Sequence, residues 1–447
     1  MKPAEAVDIK AFIDERKVSA YQWLVLVLCF IIVTLDGIDT AIMGFVAPAI
    51  MQQWHVARAD FGPVMSAAMV GLAIGALVAG PVADKIGRKK VLLGSVACFG
   101  VFSVLCVVAH TPLELVALRF LTGLGLGAAM PNATTLLSEY VPSRSRSLLV
   151  TIMFTGFNFG SGAGGFLAAW LIPHFGWRSV FLVGGLLPLV SLPFLVWLLP
   201  ESARMMLIMR VSTQRIARTL GRVCGTRFAD DVRFVSPEPV MVSKAPVRML
   251  FADGYAANTV SLWVTYFMGL LIIYLLTGWL PTLIRDAGMP IERAAAITGM
   301  FQLGGTVGAV VVGFAMDRMD RNIVIGTAYM LGGVFILALG TGTMQSALLP
   351  TLVTLAGFCM SGAQTGLNAL APSCYPTRVR ATGVSWMLGM GRLGGILGSA
   401  IGGVLLSSGF GLSTVFSLLA APAVLAALAI VANRASRRLI TTTLVER

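Results

Sequence analysis

The chain has 447 residues, of which 57% are hydrophobic and 12% charged, with a mean hydropathy of +0.86. That leaves too little polar surface to cover a water-soluble globule, which excludes the soluble classes. The net charge of +13 is assigned by its distribution to loops beside anionic lipid, with no nucleic acid as partner.

The N-terminal residues are mixed in charge, and the first apolar run carries two aspartates and lacks a small-residue cleavage site, so it is expected to stay as helix 1. Apolar stretches of about 20 residues, each enough for ~30 Å of hydrocarbon, recur along the chain. Six lie at 24–48, 62–83, 91–110, 113–138, 148–172 and 179–199, and six more at 260–282, 295–316, 323–343, 347–370, 381–404 and 410–432. Lipid forces every backbone polar group to be satisfied internally, and runs this long do so as helices rather than barrel strands. The predicted fold class is therefore all-α, with twelve transmembrane helices in two six-helix halves. The expected organisation is a tail over 1–22, a first half over 23–199, a linker over 200–259, a second half over 260–433 and a tail over 434–447.

The linker carries Arg204, Arg210, Arg215, Arg218, Arg222, Arg227, Arg233, Lys244 and Arg248, with Pro237, Pro239 and Pro246 near its end. It reads as a partly helical solvated loop or a regulatory segment. With the N-terminus in the cytoplasm, 27 of the 33 Lys and Arg fall in the tails and cytoplasmic loops, and only Arg58, Arg178, Arg285 and Arg293 lie outside. The positive-inside rule then sets the orientation, with both termini cytoplasmic. Cys29, Cys98, Cys106, Cys224, Cys359 and Cys374 are scattered without metal-ligand spacing. The absence of GxxxxGK[ST] and HExxH patterns, with His55, His110 and His174 as the sole histidines, argues against an enzyme, a metal site or ATP-driven transport.

The sequence repeats itself. Gly80-x-x-x-Asp84-Lys85 matches Gly313-x-x-x-Asp317-Arg318 at an offset of 233. Pro142-x-Arg144-x-Arg146 matches Pro376-x-Arg378-x-Arg380 at 234, and Phe175-Gly176…Val180-Phe181 matches Phe410-Gly411…Val415-Phe416 at 235. Three matches at equivalent topological positions indicate duplication of a six-helix unit. Parallel repeats of this kind build secondary transporters with a binding site at the midplane between them.

GPVADKIGRKK, containing Gly80, Asp84, Gly87 and Arg88, resembles the signature loop of the major facilitator superfamily. GFAMDRMDR, with Asp317 and Arg318, sits at the matching place, though Asp320 stands where that pattern usually has glycine. Arg119-x-x-x-Gly123-x-Gly125-x-Gly127 resembles the superfamily's second motif. The runs LDGIDTAIMGFVAPAI, RFLTGLGLGAAMPNATTLLSEY and GVSWMLGMGRLGGILG are similar to the aromatic acid:proton symporter family, especially its 4-hydroxybenzoate and protocatechuate importers. The resemblance extends from about Tyr21 through helix 12. It implies a monomeric inner-membrane importer of a small aromatic carboxylate, driven by the proton gradient and without a cofactor. Benzoate, vanillate, gallate and muconate stay open as substrates, and proton-driven efflux and a chemosensory role stay open as rivals.

Ionisable groups at bilayer depth are costly enough that function is their default reading, and four are present: Asp36, Asp39, Arg119 and Arg392. At ~1.5 Å per residue Asp36 lies ~20 Å and Asp39 ~24 Å into helix 1, which places Arg119 of helix 4 level with Asp36. Two carboxylates three residues apart share a helix face and do not ionise together easily, so one of them is the candidate proton carrier, with Arg119 as the competing cation. A permanent structural ion pair is the alternative. Arg392 lies near the midplane, where its two-donor fork suits a substrate carboxylate; bracing helix ends is its alternative role. Its repeat partner is Asn158. Asn132, Tyr266, Gln302, Gln364 and Asn368 are candidate pocket residues, Trp263 and Tyr274 being nearby aromatic groups. The signature-loop residues Gly80, Asp84, Gly87, Arg88, Asp317 and Arg318 are candidates for a latch that joins the cytoplasmic ends of the halves.

Overall fold

The computed structural model describes residues 6–226, 228, 232–235, 247–251, 255–341, 347–375, 379–408 and 412–445. Of the features singled out in the sequence, Arg227, Pro237, Pro239, Lys244, Pro246, Pro376, Arg378, Phe410 and Gly411 lie outside them. Twelve long helices are found among the described residues. The first six are α1 Ala20–Trp54, α2 Gly62–Ile86, α3 Arg88–Leu105, α4 Pro112–Tyr140, α5 Ser143–Phe175 and α6 Trp177–Leu198. The rest are α7 Tyr255–Asp286, α8 Ile291–Arg318, α9 Arg321–Gly340, α10 Leu349–Leu370, α11 Arg380–Ser407 and α12 Leu412–Val445.

Side-chain caps mark the starts of α1, α4 and α9. Ser19 and Gln22 form a capping box at the start of α1. Thr111 caps α4 by accepting from the Glu114 N–H, and Asp320 caps α9 by accepting from Asn322 and Ile323. Ten of the twelve are long and apolar enough in composition to cross a membrane. The other two, α5 and α10, are diluted by small and amide residues, the kind that let membrane helices approach closely. Each packs on protein along part of its surface, α5 on α1 and α8 and α10 on α8 and α9, while Phe159, Phe166 and Trp170 of α5 stay exposed.

The helix pairings repeat six helices apart. The pairs α1–α5, α2–α4, α3–α4 and α3–α6 recur as α7–α11, α8–α10, α9–α10 and α9–α12, so the duplication read in the sequence is a duplication of packing. The two halves meet along α1–α7, α2–α11 and α5–α8. The α5–α8 approach is closest where Gly165 faces Gly299, since a Cβ on Gly165 would come within 2.8 Å of the Gly299 Cα.

The start of α1, the end of α4 and the start of α5 share one face: the Gln22 side-chain amide donates to the Tyr140 carbonyl, and Asp14 accepts from the Ser143 N–H and hydroxyl. Most lysines and arginines lie there, and it is called the basic face. A small tail–linker cluster covers part of it. Ala6–Asp8 pairs in parallel with Arg233–Val235, the short helix Ile9–Asp14 follows, and Phe12, Phe228 and Phe234 stack edge to edge. The linker helix Thr213–Cys224 buries Ile216, Leu220 and Val223 on one side. Two strands of three residues are too short to carry a readable periodicity.

Contacts between the halves are concentrated toward the opposite face. Arg58 in the α1–α2 connection pairs with Asp286 at the end of α7 at 2.8 Å, and Arg285 donates to the Pro48 carbonyl at 2.6 Å. The α2–α11 seam runs from Gly62 beside Ala400 to Leu72 beside Arg392. Beyond that level Leu77, Val78, Trp386 and Leu388 are exposed, Leu77 by 77%. The molecule is closed at the far face and parted toward the basic face.

The Arg58–Asp286 bridge is part-exposed, and such pairs contribute under ~1 kcal/mol. Asp286→Asn should therefore raise the far-face-open population by no more than about fivefold. Electron-resonance distances between spin labels at Ala57 and Arg293 measure that population; a larger shift would show that the bridge is the main fastening.

Candidate functional site

The four intramembrane charges separate into two groups. Arg119 on α4 and Asp39 on α1 form a salt bridge at 2.7 Å with both side chains fully buried, and the second Arg119 nitrogen donates to the Asp39 backbone carbonyl at 3.0 Å. The guanidinium carbon also lies 5.7 Å from the centre of the Phe181 ring. Helical rise alone paired Arg119 with Asp36. The difference comes from side-chain direction: each side chain leans toward its own helix N-terminus, and α1 and α4 run oppositely. Arg119 therefore reaches toward the far face and meets the aspartate one turn beyond Asp36.

Asp36 forms no ion pair among the described residues. It is 1% exposed, and Thr40 donates to it at 3.2 Å. Asp39 on the same helix and, across the seam, Arg392 on α11 and Tyr274 on α7 are close enough to act on it electrostatically. The Tyr266 ring seats against Gly391 and the Tyr274 ring against Gly395, so the two phenols flank Arg392. Arg392 donates to the Leu72 carbonyl of the other half at 2.7 Å. A small cavity beside this cluster is lined by Thr40, Met65, Met69, Arg119, Tyr274 and Thr277.

The remaining pocket candidates are distributed unevenly. Gln364 on α10 accepts from the Tyr329 hydroxyl at 2.7 Å, and Tyr266 lies within reach of Gln364 and of the exposed Asn368. Gln302 on α8 donates to Thr277 at 3.0 Å, leaving its own oxygen without a partner. Asn132 donates to the Ala128 carbonyl of its own helix, and Asn158 is half-buried on α5. Trp263 stacks on Trp386 with ring centres 5.8 Å apart.

The signature loops are occupied differently. Arg88 pairs with Glu139 at the end of α4 at 2.7 Å and lies 3.9 Å from Asp84, which is 73% exposed. Gly87 turns the chain at φ +101°, a conformation that suits glycine, and one Glu201 oxygen accepts from the N–H groups of Arg88 and Lys89. Tyr140 donates to the Glu201 carbonyl, and Ser202 to Glu139. Gly80 has open space around it. In the second loop Asp317 and Arg318 are exposed, with Arg318 stacked 3.4 Å from the Phe314 ring centre. Asp320 forms a salt bridge with Arg434 at 2.8 Å, so its departure from glycine ties α9 to α12.

Sequence reasoning missed Thr40, Glu139, Glu201, Thr277 and Tyr329. Glu139 and Glu201 stand at helix ends, where a carboxylate looks like any solvated charge. Tyr329 was findable as the single phenol in the apolar run of α9.

A duplicated twelve-helix bundle whose buried charges converge on the seam between its halves is the architecture of a secondary transporter. The chain belongs to the Major Facilitator Superfamily, whose model matches residues 29–347 and 262–442. It is 61% identical to a gallate transporter of Pseudomonas putida over 97% of both chains. It is 52% identical to the 4-hydroxybenzoate transporter PcaK of Pseudomonas aeruginosa over 95% of both. Among solved structures a D-xylose–proton symporter superposes with a TM-score of 0.72 at 18% identity, covering 92% of this chain and 97% of its own.

Removing one member of a buried ion pair strands the other, at a cost of ~3–5 kcal/mol. Arg119→Leu alone should lower stability by that order, and Asp39→Leu with Arg119→Leu should recover most of the loss. Thermal unfolding of the purified variants in detergent checks this; no recovery in the double variant would show that the two charges act separately.

Proposed function

We propose that this protein imports a hydroxylated aromatic carboxylate together with protons across the cytoplasmic membrane, by alternating access, as a monomer and without a cofactor. Both termini and the 200–259 linker then lie in the cytoplasm, which the basic face favours under the positive-inside rule. The observation that carries the reading is the buried Asp36, without an ion pair among the described residues, facing Arg392 and Tyr274 across the seam. The gallate and 4-hydroxybenzoate transporters to which the chain is similar supply the substrate class.

The coupling follows from charge balance. Asp39 already neutralises Arg119, so Asp36 and an incoming carboxylate compete for Arg392, the other intramembrane cation among the described residues. A substrate carboxylate that takes the two-donor fork of Arg392 leaves Asp36 with an uncompensated buried charge, which a proton removes. Substrate and proton thus enter together. Arg392 holds the Leu72 carbonyl through one nitrogen, so the side chain that receives the carboxylate is also one that crosses the α2–α11 seam. Tyr266 and Tyr274 offer flat apolar walls, and Asn132, Asn158, Gln302, Gln364 and Asn368 supply polar candidates for the ring. When the basic face closes, Asp84, Asp317 and Arg318, exposed in this state, become available as the latch between halves.

In proteoliposomes with an inward proton gradient, labelled gallate or 4-hydroxybenzoate should accumulate, and the accumulation should vanish when the gradient is collapsed. Asp36→Asn fixes the carboxyl in a neutral form, so it should abolish gradient-driven accumulation while retaining substrate exchange between equal concentrations. Accumulation that survives in this variant would remove Asp36 from the coupling.

A further inference from the structure

The amide of Gln364 is held in an unusual way. Its residue is 6% exposed, its oxygen accepts from Tyr329 at 2.7 Å, and its nitrogen makes no hydrogen bond of good geometry, the Tyr266 hydroxyl being the polar group beside it. With the oxygen taken by the Tyr329 hydroxyl, the end left over is the amide nitrogen, a pure donor. A buried donor without a partner costs about 1–3 kcal/mol. The cost is tolerable where a ligand supplies the missing acceptor.

Three helices maintain the arrangement. Tyr329 is fully buried and comes from α9, which lies behind α10 and α12. It reaches Gln364 across Gly269 of α7: a Cβ there would fall 2.1 Å from the Gln364 oxygen and 2.4 Å from the Tyr329 hydroxyl, so no other residue leaves room for the bond. One turn toward the basic face, on the same side of α10, Asn368 is exposed, so the buried amide lies one turn from open space. Tyr266 stands between, beside Gln364 and Asn368 on one side and under the influence of Arg392 on the other.

We infer that Gln364, oriented by Tyr329 through the gap at Gly269, is a hydroxyl-reading subsite that donates to a ring oxygen of the substrate while Arg392 holds the carboxylate. This rests on the aromatic-acid import reading and adds its selectivity: hydroxylated benzoates are preferred over benzoate. A site built to bond a hydroxyl leaves its own buried group unpaired when the hydroxyl is missing, and that penalty is the discrimination. Tyr329 touches no substrate; it is a positioning residue.

The test is the ratio of KM values for benzoate and 4-hydroxybenzoate in proteoliposome uptake by the full chain, with gallate as a third substrate. The wild type should favour the hydroxylated acids. Tyr329→Phe frees the amide to rotate and should raise KM for them about tenfold, a lost interaction of ~1.4 kcal/mol, with maximal rates held and the ratio falling toward one. Gln364→Met, similar in shape and without the donor, should lower the ratio in the same way, and covers the case in which the tyrosine variant does not fold. Equal affinity for benzoate in the wild type, or variants that weaken all acids alike, would overturn the subsite and leave aromatic-acid import standing. Uptake of no aromatic acid by the wild type would overturn both.

Discussion

The Asp39–Arg119 pair is the interaction on which the rest of the site depends. Two ions removed from water inside a bilayer persist only if they neutralise one another, and here the guanidinium is also fastened to the Asp39 backbone carbonyl. The pair binds α1 to α4 within the first half and takes both charges out of play. It thereby defines the charge state of everything nearby: Asp36, one turn away on the same helix, is left with a hydroxyl as its near partner and a cation only across the seam. An arginine paired with both aspartates would leave no group whose charge could follow substrate.

The halves are bonded internally more than they are bonded to each other. In the second half Asn433 on α12 donates to Asn258 and Ser261 on α7 and accepts from Asn322 on α9, while Asn258 donates to the Cys374 carbonyl. Every partner in that knot lies within the half. Contacts across the seam are of a different kind: close backbone approach at Gly165 and Gly299, a part-exposed ion pair, and single bonds from arginines to carbonyls. Interiors that are cross-bonded and a seam that is lightly bonded are what rocking of rigid halves requires.

Much of this was legible in the sequence because lipid imposes a strong code. Apolar runs of about 20 residues can only be helices, and the repeat offsets near 234 foretold the paired packing. The candidate site was legible as composition and less so as geometry. Asp36, Asp39, Arg119 and Arg392 stand out because charge is rare at depth, yet rise per residue could not tell which aspartate meets Arg119, since that depends on where side chains point. The tail–linker strands Ala6–Asp8 and Arg233–Val235 are joined by a pairing over two hundred residues apart, and three residues carry no pattern. Tyr329 belongs to a helix that any pocket search by sequence would discard as peripheral.

Glu201 is the residue at which the first half ends and the linker begins, and the same carboxylate holds the N–H groups that open α3 beside the Arg88–Glu139 pair. The tether between halves and the anchorage of the signature loop are therefore one point. Whatever shifts the chain where it leaves α6 therefore bears directly on the turn that opens α3, and one carboxylate serves both the exit of the first half and its signature loop.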